Sequence, residues 1–258
     1  MAPSNADTGA SVRGALNTLR ILEEVAARQP VGVSELAKAT GIPKSSAQRF
    51  LLTLQQAGWL HQVGQETTRW ALTAKALSVG LTASTELGLR EAALPVMGRV
   101  RDETDETVHL AVRDGNALVV IDRLDSTQPV RTFVRLGTRV PMHATASGRA
   151  VLAHLPNAQV QQIIDLGLPR YTEHTIVDPA ALYREIEATR ERGYAINVCE
   201  WRPHVGAVGA AILSPTGQPV GALAISIPVV RYREDQVPRY GALGLEAGKE
   251  IGRLLRSE

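Results

Sequence analysis

The sequence predicts an α+β protein in two domains, and three observations carry that prediction. Apolar residues in the first third recur at helical spacing and lead into a short hairpin pattern. From Thr107 onward the period drops to two. Strand-like and helical runs then mix without regular βαβ alternation, which favours a mostly antiparallel sheet. A length of 258 residues accommodates two modest domains.

Each element has a local reason. The polar, small residues 1–11 read as a disordered tail. Val12, Ala15, Leu16, Leu19, Leu22, Val25 and Ala26 mark one apolar helix face, and Gln29-Pro30 ends that helix. Ser34 is the expected N-cap of a helix over 35–40, with Gly41 just past its end. Pro43 opens a third helix, which Gly58 stops. Two strand-like runs, 59–63 and 68–72, flank a polar turn. These pieces make a first domain over 12–76. A linker helix is expected over 77–94, broken near Pro95, and a second domain over 95–258. In that domain, strands at 107–112 and 117–122 flank Asp114-Gly115-Asn116, a hairpin turn signal. Residues 131–135 alternate like a strand. Helices are expected at 146–155, 158–166 and 179–192, strands at 194–199, 207–213 and 220–227, and a closing helix at 235–256.

Composition excludes several classes. No run of about 18 apolar residues exists, so no helix is expected to span a membrane. The start lacks a basic segment followed by an apolar one, which favours the cytoplasm. The single cysteine, Cys199, is expected in a buried strand and can form neither an internal disulfide nor a cysteine metal cluster. No cofactor is expected. The six histidines show no ligand spacing and read as surface or structural residues. Charge is uneven: residues 1–80 hold eight Lys/Arg against five acids, a mild pointer to an anionic partner there.

Three helices and a hairpin in about 60 residues outline a winged helix-turn-helix. Ala37 lets two helices approach and Gly41 supplies the sharp turn between them. Leu36, Ile42, Ala47 and Leu51 point inward, leaving Lys44, Ser45, Ser46, Gln48 and Arg49 outward. Arg and Gln can read guanine and adenine edges in a major groove, while Ser and Lys at a helix start suit phosphates. The candidate DNA contacts are Ser34, Lys44, Ser45, Ser46, Gln48, Arg49, Thr53 and, on the hairpin, Arg69. The plainer reading is a small helical domain with ordinary polar surface residues.

The second domain carries no nucleophile elbow, phosphate loop or paired-histidine zinc motif. His143 and Ser147 lie four apart, but no acid is placed to orient the histidine. Thr145-Ala146-Ser147-Gly148 reads equally as a carboxylate-binding helix start or as a simple cap with small, closely packed residues.

The chain resembles the IclR family of bacterial transcriptional regulators. In the first domain the likeness rests on Glu35-Leu36-Ala37, Gly41-Ile42-Pro43-Lys44-Ser45, Arg49-Phe50-Leu51 and Gly58. In the second it rests on the run from Gly137 through Ala150, on Gly193-Tyr194, on Glu200 and on the run from Gly217 through Ser226. The resemblance implies a winged helix-turn-helix, a linker helix and a C-terminal GAF-like domain with a mostly antiparallel sheet. It implies a ligand-responsive regulator, repressor or activator, that binds a palindromic operator as a homodimer or homotetramer and senses a small organic acid. The implied effector contacts are Thr145, Ala146, Asn197, Ala207, Ala224 and Ser226, with the segment around Glu200. This sequence departs from the glyoxylate and pyruvate pattern, with Asn197 in place of Asp and Ala207 and Ala224 in place of Cys and Ser, so a larger or more apolar acid is expected. Trp201 and Arg202 lie in a loop that either covers the pocket, with Arg202 offered to a carboxylate, or packs Trp201 beneath itself and leaves Arg202 in solvent. Two readings from other classes stand beside this one: a DNA-targeted hydrolase, and an architectural DNA-binding protein that senses nothing.

Overall fold

The computed structural model describes residues 6–64, 67–80 and 84–255, in two compact units that divide after Ser84. The first unit holds α1 (Ala6–Arg28), α2 (Val33–Thr40), α3 (Lys44–Gln56), a hairpin of β1 (Leu60–Val63) and β2 (Arg69–Leu72), and α4 (Ala74–Gly80). Helix α1 starts inside the stretch expected as a disordered tail, where Ala6 and Ala10 favour helix; residues 1–5 lie outside the described residues. Helix α2 begins at Val33 with Gly32 as its N-cap, so Ser34 is not the cap but sits in the first turn. Gly41 takes φ 70 and donates its N–H to the Ala37 carbonyl. Pro43 stands one residue ahead of α3, and its carbonyl accepts from the Ala47 N–H at 2.9 Å. At the far end Gly58 takes φ 78 and donates to Gln55, while Trp59 donates to Leu54, a crossed pair that satisfies the last carbonyls. Ile21, Val25, Leu36, Ala47, Leu51 and the fully buried Trp70 form this unit's core.

The second unit begins with α5 (Ser84–Thr104). Of the linker helix expected over 77–94, α4 covers 77–80 and α5 covers 84–94, residues 81–83 lying outside the described residues, and α5 packs Leu89 and Ala93 into the second core. The expected break near Pro95 is absent too. Pro95 lies inside α5 on its exposed side, and Ala93, Val96, Met97 and Val100 keep the helix packed on both sides of it.

Six antiparallel strands follow in the order β5-β4-β3-β8-β7-β6: β3 (Thr107–Asp114), β4 (Ala117–Leu124), β5 (Arg139–Pro141), β6 (Ala195–Val198), β7 (Val205–Leu213) and β8 (Pro219–Pro228). Residues 131–135 are not a strand. Arg123, Arg202 and Thr107 side chains take the carbonyls of Val134, Phe133 and Thr132, and β5 pairs with β4 instead. One sheet face, with Val108, Leu110, Leu223 and Ile225, packs on α5 and on α9 (Val237–Leu254). In α9, Gly248 and Gly252 sit where a Cβ would meet the Ala211 and Leu213 carbonyl oxygens at 2.5 and 2.6 Å, so this helix lies directly on β7. The opposite face, with Ala111, Val120 and Ala222, packs on α6 (Ala146–Ala153), α7 (Asn157–Asp165) and α8 (Pro179–Arg192).

Candidate effector pocket and DNA-binding helix

Helix α3 separates its residues cleanly. Ala47, Leu51 and Leu54 are buried, while Lys44, Ser45, Arg49, Leu52 and Thr53 are exposed and Ser46 and Gln48 are half-buried. Among the described residues Lys44 and Arg49 form no ion pair, and α3 has no acid in its first turn. The result is a projecting, positively charged helix start with free backbone N–H groups. The Thr53 hydroxyl donates back to the Arg49 carbonyl at 3.0 Å. Ser34 is exposed in the first turn of α2. Arg69 is placed differently. Its Nη2 contacts both Glu35 carboxylate oxygens at 3.1 and 3.3 Å, and its Nε donates to the Pro30 carbonyl at 3.0 Å, so it ties the hairpin to α2. Leu52, not among the residues expected outward, is 47% exposed on the same helix.

In the second unit a cavity opens between α6 and the sheet, with about 90 Å³ accessible to the centre of a water molecule. Small residues create it. Asn197, Ala207 and Ser226 are register partners across β6, β7 and β8, and Gly209, Ala224 and His109 form the neighbouring row across β7, β8 and β3. A Cβ at Gly209 would lie 2.6 Å from the Ala146 carbonyl carbon and 2.7 Å from the Ser147 nitrogen, so only glycine lets α6 rest its N-terminus here. Thr145 caps α6: its hydroxyl accepts from the Gly148 N–H at 3.1 Å and donates to the Pro141 carbonyl at 2.7 Å. The Ala146 and Ser147 N–H groups, at the first two helical positions, have no intrahelical acceptor and border the cavity.

Of the expected effector residues, Thr145, Ala146, Asn197, Trp201, Arg202, Ala207, Ala224 and Ser226 line this one cavity. Glu200 does not. Its carboxylate is taken by the Arg149 guanidinium in two bonds of 2.7 Å, with Arg149 only 1% exposed. Burial raises the Glu200 pKa, and the Arg149 charge pulls it back. The loop after β6 sets Trp201 and the exposed Arg202 against the cavity. Trp201 packs on the α6-side core, and Arg202 lies over the Trp201 ring at 4.4 Å and donates to the Phe133 carbonyl at 2.9 Å. Cys199 is half-buried in this loop at φ 59, not in a strand. His143 turns its Nε2 to the Pro169 carbonyl and its ring to Tyr171, away from any pairing with Ser147.

His109, expected like the other histidines to be a surface or structural residue, borders this cavity. It is 6% exposed and sets Nδ1 3.0 Å from the Ser226 hydroxyl. Burial, helped by the nearby Arg123 charge, pushes its pKa down to about 4, so the ring is neutral near pH 7. Its position in phase with Thr107 and Ala111 was visible, but β3 is buried on both faces, so alternation did not say which face it shared.

Comparison with known proteins decides the family. A model of the "IclR helix-turn-helix domain" matches residues 14–64, and one of the "Bacterial transcriptional regulator IclR C-terminal" matches residues 81–253. The chain belongs to the IclR family of bacterial transcriptional regulators. It is 34% identical to the transcriptional repressor IclR of Escherichia coli K12 over 254 residues, covering 97% of this chain and 91% of that one. Among solved structures it is similar to IclR of Thermotoga maritima, at 28% identity and a TM-score of 0.75 over 95% of this chain and 99% of that one. It is also similar to an IclR homolog from Microbacterium hydrocarbonoxydans complexed with 4-hydroxybenzoate, at 26% identity and a TM-score of 0.80, covering 95% of this chain and 100% of that one. Members of this family are DNA-binding transcriptional regulators, and this chain is an α+β protein with an N-terminal helix-turn-helix and a C-terminal antiparallel sheet domain. No helix among the described residues is long and apolar enough to cross a membrane.

Proposed function

We propose that this protein is a ligand-responsive transcriptional regulator, not an enzyme, whose second domain senses a small organic acid. The observation that carries the reading is the cavity at the start of α6. There the first two backbone N–H groups of α6, which have no acceptor within the helix, meet small, apolar side chains and the nearby Arg202. A carboxylate suits the N–H groups and the positive helix end, and its apolar remainder suits Ala207, Ala224, Val134 and Phe133. A relative of the same fold that holds 4-hydroxybenzoate supports an aromatic or otherwise larger acid.

In this reading α3 enters the major groove. Arg49 and Gln48 meet base edges, and Lys44, Ser45, Ser46, Ser34 and Thr53 lie toward the backbone, while Arg69 braces the hairpin. A homodimer or homotetramer places two such helices on palindromic half-sites about 34 Å apart or a multiple of it. Calorimetric titration of the full chain with a panel of mono- and dicarboxylates, from two-carbon to aromatic, tests the sensing claim. Saturable binding that displaces the protein from its upstream DNA, or tightens it there, supports the reading. Absence of binding across the panel contradicts it.

A further inference from the structure

His109 Nε2 is buried and has no hydrogen-bond partner among the described residues, although its ring lines the cavity. A buried nitrogen left unmet is costly, and a ligand atom in the cavity would meet it. We infer that His109 is an effector-contacting residue, and that its imidazole selects acids carrying a hydroxyl or carbonyl group remote from the carboxylate. The inference rests on the acid-sensing reading of this pocket.

The sheet register gives the ligand its direction. Gly209 on β7 lies under the start of α6, and His109 stands in the same row two strands along, past Ala224 on β8. Adjacent strands lie about 4.8 Å apart, so the two backbones are separated by roughly 10 Å. With Nδ1 3.0 Å from the Ser226 hydroxyl on β8, the imidazole leans from β3 across part of that gap. An acid held at the Ala146 and Ser147 N–H groups therefore presents its far end, not its carboxylate, to Nε2.

The chemistry of the far end follows from the ring. A neutral imidazole carries no charge to attract a second carboxylate. Its Nδ1 faces the Ser226 hydroxyl, which can donate or accept. The ring can therefore hold either tautomer, donating from Nε2 to a carbonyl or accepting there from a hydroxyl.

Matched acids test this. Full-length protein is titrated calorimetrically with 4-hydroxybenzoate against benzoate, and with 4-hydroxybutyrate against butyrate. The hydroxy member of at least one pair should bind about tenfold more tightly, and in His109→Leu the two members of that pair should bind equally. A second arm needs no substitution. In protein labelled with ¹⁵N-histidine, the His109 Nε2 resonance should move on adding the hydroxy acid and stay unmoved with its plain partner. That arm decides the matter if His109→Leu fails to fold. Equal binding within both pairs, with the resonance unmoved, overturns the inference and leaves acid sensing intact. No binding by any of the four acids at millimolar concentration counts against both.

Discussion

Arg149 on α6 holds the Glu200 carboxylate with both terminal nitrogens at 2.7 Å, and the same guanidinium reaches the Ile196 carbonyl on β6. This pair fastens the loop that carries Trp201 and Arg202 to the helix whose start borders the cavity. Thr172 and Thr175 add bonds to the Glu200 carbonyl from the other side. The pair thus braces the rim of the pocket, although neither residue lines it.

Breaking one partner of that pair should be expensive. Arg149→Met leaves the half-buried Glu200 carboxylate without its counter-charge and should cost about 2–3 kcal/mol, less than breaking a fully buried pair. The double variant Arg149→Met/Glu200→Leu removes both charges and should recover a large part of that loss. Urea unfolding of the four proteins in a double-mutant cycle measures the difference. A double variant as unstable as the sum of the two singles would contradict the pairing.

Filling the cavity should silence it. Ala224 lies on the cavity wall at 6% exposure, between Gly209 and His109 in the sheet register. Ala224→Leu should weaken acid binding at least tenfold by occupying the ligand's space, read by calorimetry. Unchanged affinity would place the acid elsewhere.

Arg49 is exposed on α3 and unpaired among the described residues. Arg49→Ala should weaken operator binding by the roughly 1–3 kcal/mol of a bidentate base contact, about 5- to 150-fold. Circular dichroism and sedimentation should show fold and assembly unchanged. Undiminished affinity would remove Arg49 from the base-reading set.

Acid should destabilise the second unit. His109 has a folded-state pKa of about 4, below its ordinary 6.5, so between those values the unfolded chain binds the extra proton. Stability from this residue is complete above pH 6.5 and falls as pH drops toward 4, by roughly 3 kcal/mol. Burial shifts His143 and His154 in the same direction, whereas the raised Glu200 pKa opposes them. Denaturant unfolding from pH 7.5 to 4.5, compared between wild type and His109→Gln, isolates the His109 part. The variant should show the shallower loss. Parallel curves would contradict a buried neutral imidazole.

Local chemistry made much of the fold legible. Helical spacing through Leu22 and Val25, the left-handed glycines at 41 and 58, and the Gly115-Asn116 turn all act within a few residues, so sequence alone exposes them. What escaped depends on distant partners. Pro95 continues a helix because the sheet packs beneath its other side. Residues 131–135 alternate but lose strand pairing, because arginine and threonine side chains capture their carbonyls. Glu200 resembles a pocket residue until Arg149, 51 positions away, claims it. His109 enters the pocket only once β3 is set beside β8, and no property of its neighbours in sequence announces that.

One chain that joins specific DNA binding to acid sensing must show both in a single titration of the full-length protein against its own upstream DNA and a scrambled duplex at physiological salt, with and without 4-hydroxybenzoate. The upstream sequence should be preferred about 10³-fold, and adding the acid should shift that affinity about 5- to 150-fold. Equal, steeply salt-dependent binding to both duplexes, unmoved by the acid, would contradict it.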